Sequence, residues 1–314
     1  MAALLADFGP GDEVIIPSYT FTSTANPILM AGAKPVFVDI SPKDLCITAE
    51  RAEEAITSKT RAVINVHYAG LPGDSVNLKK LCKKYKILFI EDAAQSFLSR
   101  ENGQPIGSNA DMACYSFHET KSLTCGEGGA LLINDTSLRR KAEIFLEKGT
   151  DRLAFSRGET PFYRWRDKGS SFGLCDTNAA FLLGQIEKYE TITEKRRRIW
   201  QKYSQGLHDF LHDKNCEFIK IPRNCELNYH MFWIALPTSN KRNSFAEAMR
   251  NSGVAVASHY VPLHNSPCAQ KYKISNGHLP STEEFAGRLI RLPLFNDMSD
   301  PQIERVISEC KRNI

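Results

Sequence analysis

The sequence lacks the cysteine spacing of a disulfide framework or of a zinc site. Its nine cysteines are scattered between Cys46 and Cys310 and include no C-x-x-C pair. An odd number of widely separated cysteines argues against a paired disulfide scaffold and is typical of proteins in a reducing compartment. The pattern therefore predicts a cytoplasmic protein that binds no metal.

Long apolar runs are also absent. No run approaches the ~18 residues that a membrane-spanning helix needs, and the chain does not begin with a basic segment followed by an apolar one. We therefore expect a soluble protein that is neither exported nor bound to a membrane.

An excess of charge of one sign is missing as well. The 40 Lys and Arg residues nearly balance the 36 Asp and Glu residues, so the formal net charge is only +4, and the one basic run is Lys195–Arg198. This run lies in a predicted helix, where a solvated face accounts for it better than nucleic-acid binding does. No nucleic-acid partner is expected.

What the sequence does contain is a regular alternation of strand and helix patterns up to about residue 150. Its composition, 42% hydrophobic and 24% charged, is that of an ordinary globular protein. The alternation predicts βαβ units, and hence an α/β fold with a mostly parallel sheet covered by helices on both faces. The predicted strands are 14–16, 36–40, 62–66, 87–90, 112–117 and 130–133, and the predicted helices are 23–32, 48–56, 76–85 and 137–148.

The second half of the chain has a different pattern. A loop rich in glycine and aromatic residues, 149–173, is interpreted as a pocket wall or a subunit contact, and a long helix follows over about 177–211. Shorter strands (218–221, 231–236, 255–260) and helices (244–251, 282–289, 301–311) then predict a smaller α+β lobe. We therefore expect two domains, residues 1–203 and residues 204–314.

The first candidate for chemistry is Asp92. It follows the short apolar run 87–90, which is typical of a buried parallel strand, and it precedes two alanines and Gln95. Open α/β sheets bind ligands beyond the carboxyl ends of their strands, so Asp92 and Gln95 are expected to face a crevice. The alternative is that Asp92 caps a following helix, since aspartate is a favoured N-cap residue.

The second candidate is Lys121, in a polar, glycine-rich turn that follows the predicted strand 112–117. An amine attacks carbonyl carbon only when it is deprotonated, and burial or a nearby cation can lower the pKa of a lysine enough for that. Most lysines are instead solvated surface groups. Because Lys121 and Asp92 follow neighbouring strands, however, the pair suits pyridoxal phosphate (PLP), which a lysine holds as a Schiff base while a carboxylate keeps its ring nitrogen protonated.

These motifs, together with several others, make the chain similar to the DegT/DnrJ-type sugar-nucleotide aminotransferases, PLP enzymes of fold type I. The resemblance runs from about Gly11 to the last helix and is carried by the blocks GDEVIIPSYTFTSTANPILMAGAKPVFVDI, VHYAG, IEDAAQS, YSFHETKSLTCGEGGALLIND, DKGSSFGLCDTNAAFLLGQIEK and SHYVPLH. It implies the fold of aspartate aminotransferase, with a large PLP-binding domain and a small C-terminal domain, and a homodimer.

The resemblance also implies roles for individual residues. Lys121, Asp92 and His118 would be catalytic, and Gln95 would contact the ring oxygen. Ser116 would contact the phosphate of PLP; Ser116 and His118 flank Phe117 and so share one face of a strand end. Phe21 would stack on the ring, with Tyr19 as the alternative. His259, Tyr260 and His264 would lie on the substrate side; their spacing, with Pro262 between the histidines, does not suit a metal.

The activity implied is transfer of an amino group from glutamate to a keto sugar linked to a nucleotide. The blocks SFHETK, GSS and HY.PLH are most like those of the members that convert dTDP-4-dehydro-6-deoxyglucose to dTDP-4-amino-4,6-dideoxygalactose for enterobacterial common antigen, a cell-surface polysaccharide. Another keto-sugar nucleotide remains an alternative. A PLP-dependent sugar dehydratase is disfavoured, because there a histidine replaces the lysine.

Two departures from the family pattern concern the PLP phosphate. Relatives carry a further stretch of about sixty residues before Met1, with a phosphate-binding turn at a helix N-terminus, and many have asparagine where this chain has Ser171. We therefore expect weaker PLP binding. A catalytically weak or silent homologue that acts as a partner subunit stays open as an alternative.

Overall fold

Strands and helices alternate along the chain in the computed structural model, which describes residues 1–275 and 277–314. The strands are β1 (Glu13–Pro17), β2 (Lys34–Val38), β3 (Thr60–Val66), β4 (Leu88–Asp92), β5 (Arg100–Glu101), β6 (Gln104–Pro105), β7 (Met112–Ser116), β8 (Gly129–Ile133), β9 (Glu217–Phe218), β10 (Cys225–Glu226), β11 (Phe232–Ala235) and β12 (Leu289–Leu292). The helices are α1 (Ala2–Leu5), α2 (Thr22–Met30), α3 (Ala49–Glu54), α4 (Ser75–Tyr85), α5 (Arg139–Leu146), α6 (Arg152–Ser156), α7 (Asp176–Ile186), α8 (Tyr189–Asp213), α9 (Ser239–Asn251), α10 (Pro267–Lys271), α11 (Pro280–Arg288) and α12 (Asp300–Asn313). Short 3-10 turns lie at Tyr68–Gly70, Thr136–Leu138 and Leu263–Asn265.

The large sheet has six strands in the order β2-β1-β3-β4-β7-β8, and all but the edge strand β8 run parallel. The α/β fold with a mostly parallel sheet, predicted from the alternation, is confirmed. The parallel neighbours β1 and β2 are joined through α2, and β3 and β4 through α4, whereas β4 and β7 are joined through the β5–β6 hairpin. The carboxyl ends of β1, β3, β4 and β7 therefore meet at one edge.

The apolar runs become strands because both faces of the sheet are covered. Val14 and Ile16 of β1 pack into the core on one face, beneath α2 and α5, whereas Ile15 between them packs into the core on the other face, beneath α3 and α4. All three side chains are fully buried. Alternate residues of a strand point to opposite faces, so a continuous apolar run serves two cores at once.

The smaller lobe packs helices against the antiparallel sheet β12-β11-β9. Its core includes Tyr203 of α8, Phe232 of β11, Phe285 of α11 and Ile303 of α12. Because α8 runs across position 203 and its apolar face belongs to this core, the domain division at 203/204 stays a prediction.

Two sequence-based expectations are corrected here. The predicted helix 177–211 is two helices, since α7 ends at Ile186 and α8 begins at Tyr189; the chain has no glycine or proline at this break to signal it. The predicted strand 255–260 forms only one bridge, between Ala257 and Arg291. Its last two residues contribute side chains to a cavity instead of continuing the ladder.

Several short elements were not expected from the sequence. They are the β5–β6 hairpin, the strand β10 that pairs with β5, the helices α6 and α10, and the strand β12, which follows the end of α11 directly. Short strands and helices carry too few residues to show a period. Among the described residues, no helix is long and apolar enough to span a membrane.

Candidate active site

A cavity of about 710 Å³ opens at the carboxyl edge of the large sheet, between the two lobes. We call it the main cavity. It brings together eight of the nine residues predicted from the sequence: Phe21, Asp92, Gln95, Ser116, His118, Lys121, His259 and Tyr260. The strands that end there explain this convergence, because β4 delivers Asp92, and its neighbour β7 delivers Ser116 and the turn that follows.

Both carboxylate oxygens of Asp92 are held by hydrogen bonds. The Thr24 hydroxyl donates to Oδ2 at 2.7 Å, and the backbone N–H of Ala94 donates to Oδ1 at 3.2 Å. No helix follows β4 before the β5–β6 hairpin, so the interpretation of Asp92 as a helix cap is wrong. The carboxylate is instead fixed at the wall of the main cavity.

Lys121 lies in the turn after β7, where its backbone N–H donates to the carbonyl of His118 at 2.9 Å. Its half-buried amine makes no hydrogen bond or ion pair within residues 1–275 and 277–314. Burial is the main cause that lowers the pKa of Lys121, and Arg291 lowers it further, whereas Asp92 opposes the shift. The amine is therefore neutral more often than that of an ordinary lysine, which favours nucleophilic attack.

Gln95 connects the two lobes at the cavity wall. Its Oε1 accepts from the backbone N–H of Ala69 at 2.7 Å, and its Nε2 donates to the Tyr260 hydroxyl at 2.9 Å. The Ala69–Gly70 turn needs glycine, since Gly70 has φ +88° and a Cβ there would lie 3.0 Å from Asn228 Oδ1. Both ends of the Gln95 amide thus already have partners in the chain.

Ser116 and His118 lie together on the cavity side of the strand end, as expected from their spacing. The backbone N–H of His118 donates to Ser116 Oγ at 3.3 Å. The His118 ring has Nδ1 3.0 Å from Thr120 Oγ1 and Nε2 3.5 Å from a carboxylate oxygen of Glu127. Phe117 between them is buried, so the alternation of the strand holds here.

An aromatic wall closes another side of the main cavity. Phe21 is 58% exposed and its ring centroid lies 6.3 Å from that of Tyr260. Tyr19, the alternative stacking residue, is fully buried, donates its hydroxyl to the carbonyl of His259 and does not line the cavity. Of the two aromatics, only Phe21 has a ring face available to a ligand.

The two histidines of the block SHYVPLH have separate positions. His259 lines the main cavity, and its ring stacks on Tyr260 with centroids 4.2 Å apart. Burial, followed by the charges of Arg291 and Lys121, lowers the pKa of His259 to about 3, so the ring is neutral at physiological pH.

The placement of His264 on the substrate side is corrected by the structure. Its ring is buried, with Nδ1 2.6 Å from Ser18 Oγ and Nε2 3.0 Å from Glu283 Oε1. It therefore links a loop of the large lobe to α11 and does not line the main cavity.

Three residues of the site were missed by sequence reasoning: Thr24, His230 and Arg291. A second cavity of about 370 Å³, called the side cavity, shares Lys121, His230 and Arg291 with the main cavity. Burial is the first cause, and Lys121 the second, that lowers the pKa of His230 well below its usual value, so its ring is neutral. Of these three residues, only His230 had a local signal in the sequence, because it directly precedes the predicted strand 231–236.

The described residues contain no group of three His, Cys, Asp or Glu side chains suited to hold a metal ion. The chemistry available at this edge is thus an unpaired amine with a lowered pKa, a fixed carboxylate and an exposed aromatic face around one cavity.

Several solved structures of known proteins are similar to this chain over nearly its whole length. TlmJ from Streptoalloteichus hindustanus, an aminotransferase, is 29% identical with a TM-score of 0.90, over 99% of this chain and 82% of that one. An aminotransferase of the DegT/DnrJ/EryC1/StrS type from Brucella abortus is 27% identical with a TM-score of 0.87, over 99% and 82%. The PLP form of Spr1654 from Streptococcus pneumoniae is 25% identical with a TM-score of 0.90, over 99% and 83%, and the same protein is also known in a PMP form.

The match is not confined to the cavity. The family model of the DegT/DnrJ/EryC1/StrS aminotransferases covers residues 1–311, nearly the whole chain and every element that contributes to the site. The family resemblance seen in the sequence blocks is therefore confirmed, and the chain belongs to the DegT/DnrJ/EryC1/StrS aminotransferase family.

Proposed function

We propose that the protein is a PLP-dependent transaminase that transfers an amino group from glutamate to a nucleotide-linked 4-keto-6-deoxy sugar in the cytoplasm. The observation that carries the proposal is the Lys121 amine, which has a lowered pKa and no partner in the chain, in the same cavity as the fixed Asp92 carboxylate. The cytoplasmic location is supported by the nine cysteines, which are all unpaired.

The residues present fit PLP. Lys121 would hold the cofactor covalently through its amine, and Asp92 would face the ring nitrogen. Phe21 offers an exposed ring face in the main cavity, and Ser116 offers a hydroxyl at the end of β7. When bound, PLP supplies an electron sink for the carbon that loses or gains the amine.

Residues of this chain would transfer the proton, position the reacting groups and exclude water. Lys121 would move a proton at the reacting carbon as general acid and base. Thr24 and Ala94 donate to the two carboxylate oxygens of Asp92 and would hold this side chain in position to face the ring nitrogen. Gln95 and Tyr260 join the two lobes beside the reacting groups and would help to exclude water.

The sugar substrate is proposed on the sequence blocks SFHETK, GSS and HY.PLH, which are like those of enzymes that make dTDP-4-amino-4,6-dideoxygalactose. Spr1654, which is named as a candidate sugar aminotransferase, supports the substrate class. We therefore propose dTDP-4-dehydro-6-deoxyglucose as acceptor, in the synthesis of a cell-surface polysaccharide or antigen.

We further propose a homodimer. Several large apolar side chains are exposed in the loop and helix after α6, among them Phe162, Trp165, Phe181 and Leu183, and Trp165 is 82% exposed. Several large exposed apolar side chains within one segment favour a protein contact there. Analytical ultracentrifugation should give twice the chain mass, and a Trp165→Glu, Phe181→Glu double variant should shift the protein toward monomer. A monomeric wild type at micromolar concentration would contradict the proposal.

The transaminase is tested in two stages. First, PLP is added to the purified protein, and a visible absorption band that borohydride removes is expected, with the cofactor then found by mass spectrometry on Lys121. Second, ¹⁵N-glutamate is supplied with dTDP-4-dehydro-6-deoxyglucose, and the label is followed into the amino sugar.

The Lys121→Arg variant is the control, because it keeps a cation but should form no such band. The absence of the band in the wild type would overturn the assignment of an aminotransferase site. A normal band without labelled product would overturn only the sugar, and other keto-sugar nucleotides would then be compared as acceptors.

A further inference from the structure

An ion pair lies inside the protein on the face of the large sheet opposite the main cavity. His67 Nε2 is 3.3 Å from Glu91 Oε1, and the two side chains are 0% and 1% exposed. Glu91 lies between Ile90 and Asp92, which both line the main cavity, so its side chain points to the other face. Replacing a buried ion pair with apolar side chains often leaves stability unchanged or raises it. Stability alone therefore does not account for this pair.

The surroundings of the His67 ring show that it is charged. Nδ1 is 3.0 Å from the carbonyl of Leu71, which can only accept a hydrogen bond, so Nδ1 carries a proton. Nε2 forms no hydrogen bond to the described residues, and the Glu91 carboxylate lies beside it. Burial alone would lower the pKa of His67, but Glu91 outweighs burial and the pKa is raised. Burial alone would likewise raise the pKa of Glu91, but His67 causes it to be lowered. The pair is therefore an imidazolium and a carboxylate.

His67 also holds the end of β4. Its backbone N–H donates to the carbonyl of Asp92 at 3.1 Å, one residue beyond the last pair of the β3–β4 ladder, Val66 and Asp92. The ion pair joins the same two segments on the covered face of the sheet, because Glu91 directly precedes Asp92. The charge of Asp92 is a further cause that raises the pKa of His67. The imidazolium and the Asp92 carboxylate therefore attract each other.

The same ring closes the turn that binds Gln95. This turn, Tyr68–Gly70, lies between His67 and its acceptor Leu71, and the Ala69 N–H donates to Gln95 Oε1 at 2.7 Å. Ala69 has a φ of +58°, a left-handed conformation that is unfavourable for alanine and persists only where surrounding contacts hold it. The hydrogen bond from His67 Nδ1 to Leu71 is one such contact.

We propose that His67, as the cation of a buried pair with Glu91, is a positioning residue that fixes Asp92 and Gln95 at the wall of the main cavity. This inference rests on the proposed function, in which both of these residues would contact PLP. The ring joins β4, through Glu91, to the turn that holds Gln95, through Leu71. A neutral ring could not donate to both partners, since one of its nitrogens would carry no proton. Side chains that contact reacting groups depend on such support from the residues behind them.

The first measurement uses the cofactor-free protein. ¹⁵N NMR of the histidine-labelled protein is recorded at about pH 7.5, where an ordinary histidine is mostly neutral. Both ring nitrogens of His67 should be protonated, and the signal is assigned by its absence in His67→Gln. Glu91→Gln removes the carboxylate charge with little change in side-chain size and should convert the ring to its neutral form. A neutral His67 ring in the wild type would overturn the inference.

The second measurement follows the bound cofactor. PLP labelled with ¹⁵N in its ring is added, and in the wild type the ring nitrogen should have the chemical shift of a protonated pyridine. In His67→Gln and Glu91→Gln the borohydride-sensitive band should persist. The ring-nitrogen signal should move toward the unprotonated value, because Asp92 is no longer held against it. The kcat of transamination should fall about 10- to 100-fold, as misplacement of a catalytic group does. Glu91→Asp, which keeps the charge, should give intermediate values.

Val63→Ala is the matched control. Val63 is fully buried in β3 on the same face as the ion pair and lines neither cavity, so its truncation lowers stability without removing either partner of the pair. Both nitrogen signals should be unchanged in this variant. An unchanged ring-nitrogen signal and kcat in Glu91→Gln would overturn the inference. A Val63→Ala variant that moves the signal as far as Glu91→Gln would also overturn it, because lost stability would then explain the effect. If Glu91→Gln does not fold, Glu91→Asp takes its place in both comparisons.

Failure of the inference and failure of the proposed function are distinguishable. A wild-type protein without the borohydride-sensitive band refutes the transaminase, whatever the state of the His67 ring. A wild type that shows the band and transfers nitrogen from glutamate, but has a neutral His67 ring, refutes only the positioning role.

Discussion

Replacing Lys121 with methionine should stabilise the cofactor-free protein at neutral pH. The Lys121 amine is half-buried without a hydrogen-bond partner among the described residues, and burial lowers its pKa. A polar group buried without a partner costs about 1–3 kcal/mol. Because the amine is only partly buried, we expect Lys121→Met to raise the free energy of unfolding by about 1–2 kcal/mol.

The pH dependence of this gain follows from the direction of the pKa shift. The pKa of Lys121 is lower in the folded protein than its ordinary value, so between the two values the unfolded chain binds more protons and the stability of the wild type rises with pH. Below both values the penalty of the charged amine is fully present. The stability advantage of Lys121→Met should therefore be largest near pH 7. It should shrink as the pH rises toward the pKa of lysine in the unfolded chain, about 10.4.

Equilibrium urea unfolding at pH 7 and at pH 10 measures both effects. Lys59→Met is the control, since Lys59 is exposed on a turn and its replacement should change the free energy of unfolding little. Adding PLP should reverse the order, because only the wild type can hold the cofactor covalently. A Lys121→Met variant that is no more stable than the wild type at pH 7, or whose advantage grows with pH, would refute the account of a partly buried, unpaired amine.

Three further changes have defined outcomes. Asp92→Asn should lower kcat of transamination about 10²–10³-fold while cofactor attachment persists, because the negative charge opposite the ring nitrogen is lost; near wild-type turnover would contradict the role. Tyr260→Phe leaves the buried Gln95 amide one partner short and should cost about 1–3 kcal/mol in urea unfolding, and an unchanged midpoint would show that water replaces the hydroxyl. Hydrogen bonding by His264 lowers the pKa of Glu283 to about 2. The Glu283 carboxylate therefore stabilises the fold above the ordinary glutamate pKa, and this stabilisation is lost as the pH falls toward 2. Thermal melts should show the loss in the wild type and not in Glu283→Gln.

The sequence by itself determined the large sheet and the position of its two principal residues. Continuous apolar runs such as 14–16 can be satisfied only by strands buried on both faces, and parallel strands place their carboxyl ends on one edge. A carboxylate at the end of β4 and a lysine after β7 therefore had to meet at one crevice. The motif blocks added Phe21, Gln95, Ser116 and His118, which all line the main cavity.

Only the tertiary structure decided which residues of the second half of the chain reach that crevice. His230 and Arg291 are more than a hundred residues from Lys121 in the sequence and join it through the packing of the smaller lobe, which no local period encodes. His264 has the sequence context of a site residue but is buried between Ser18 and Glu283. The local hydrophobic pattern predicts which face of a helix or strand is buried. The charges and hydrogen-bond partners of a site instead depend on segments that come into contact only after folding.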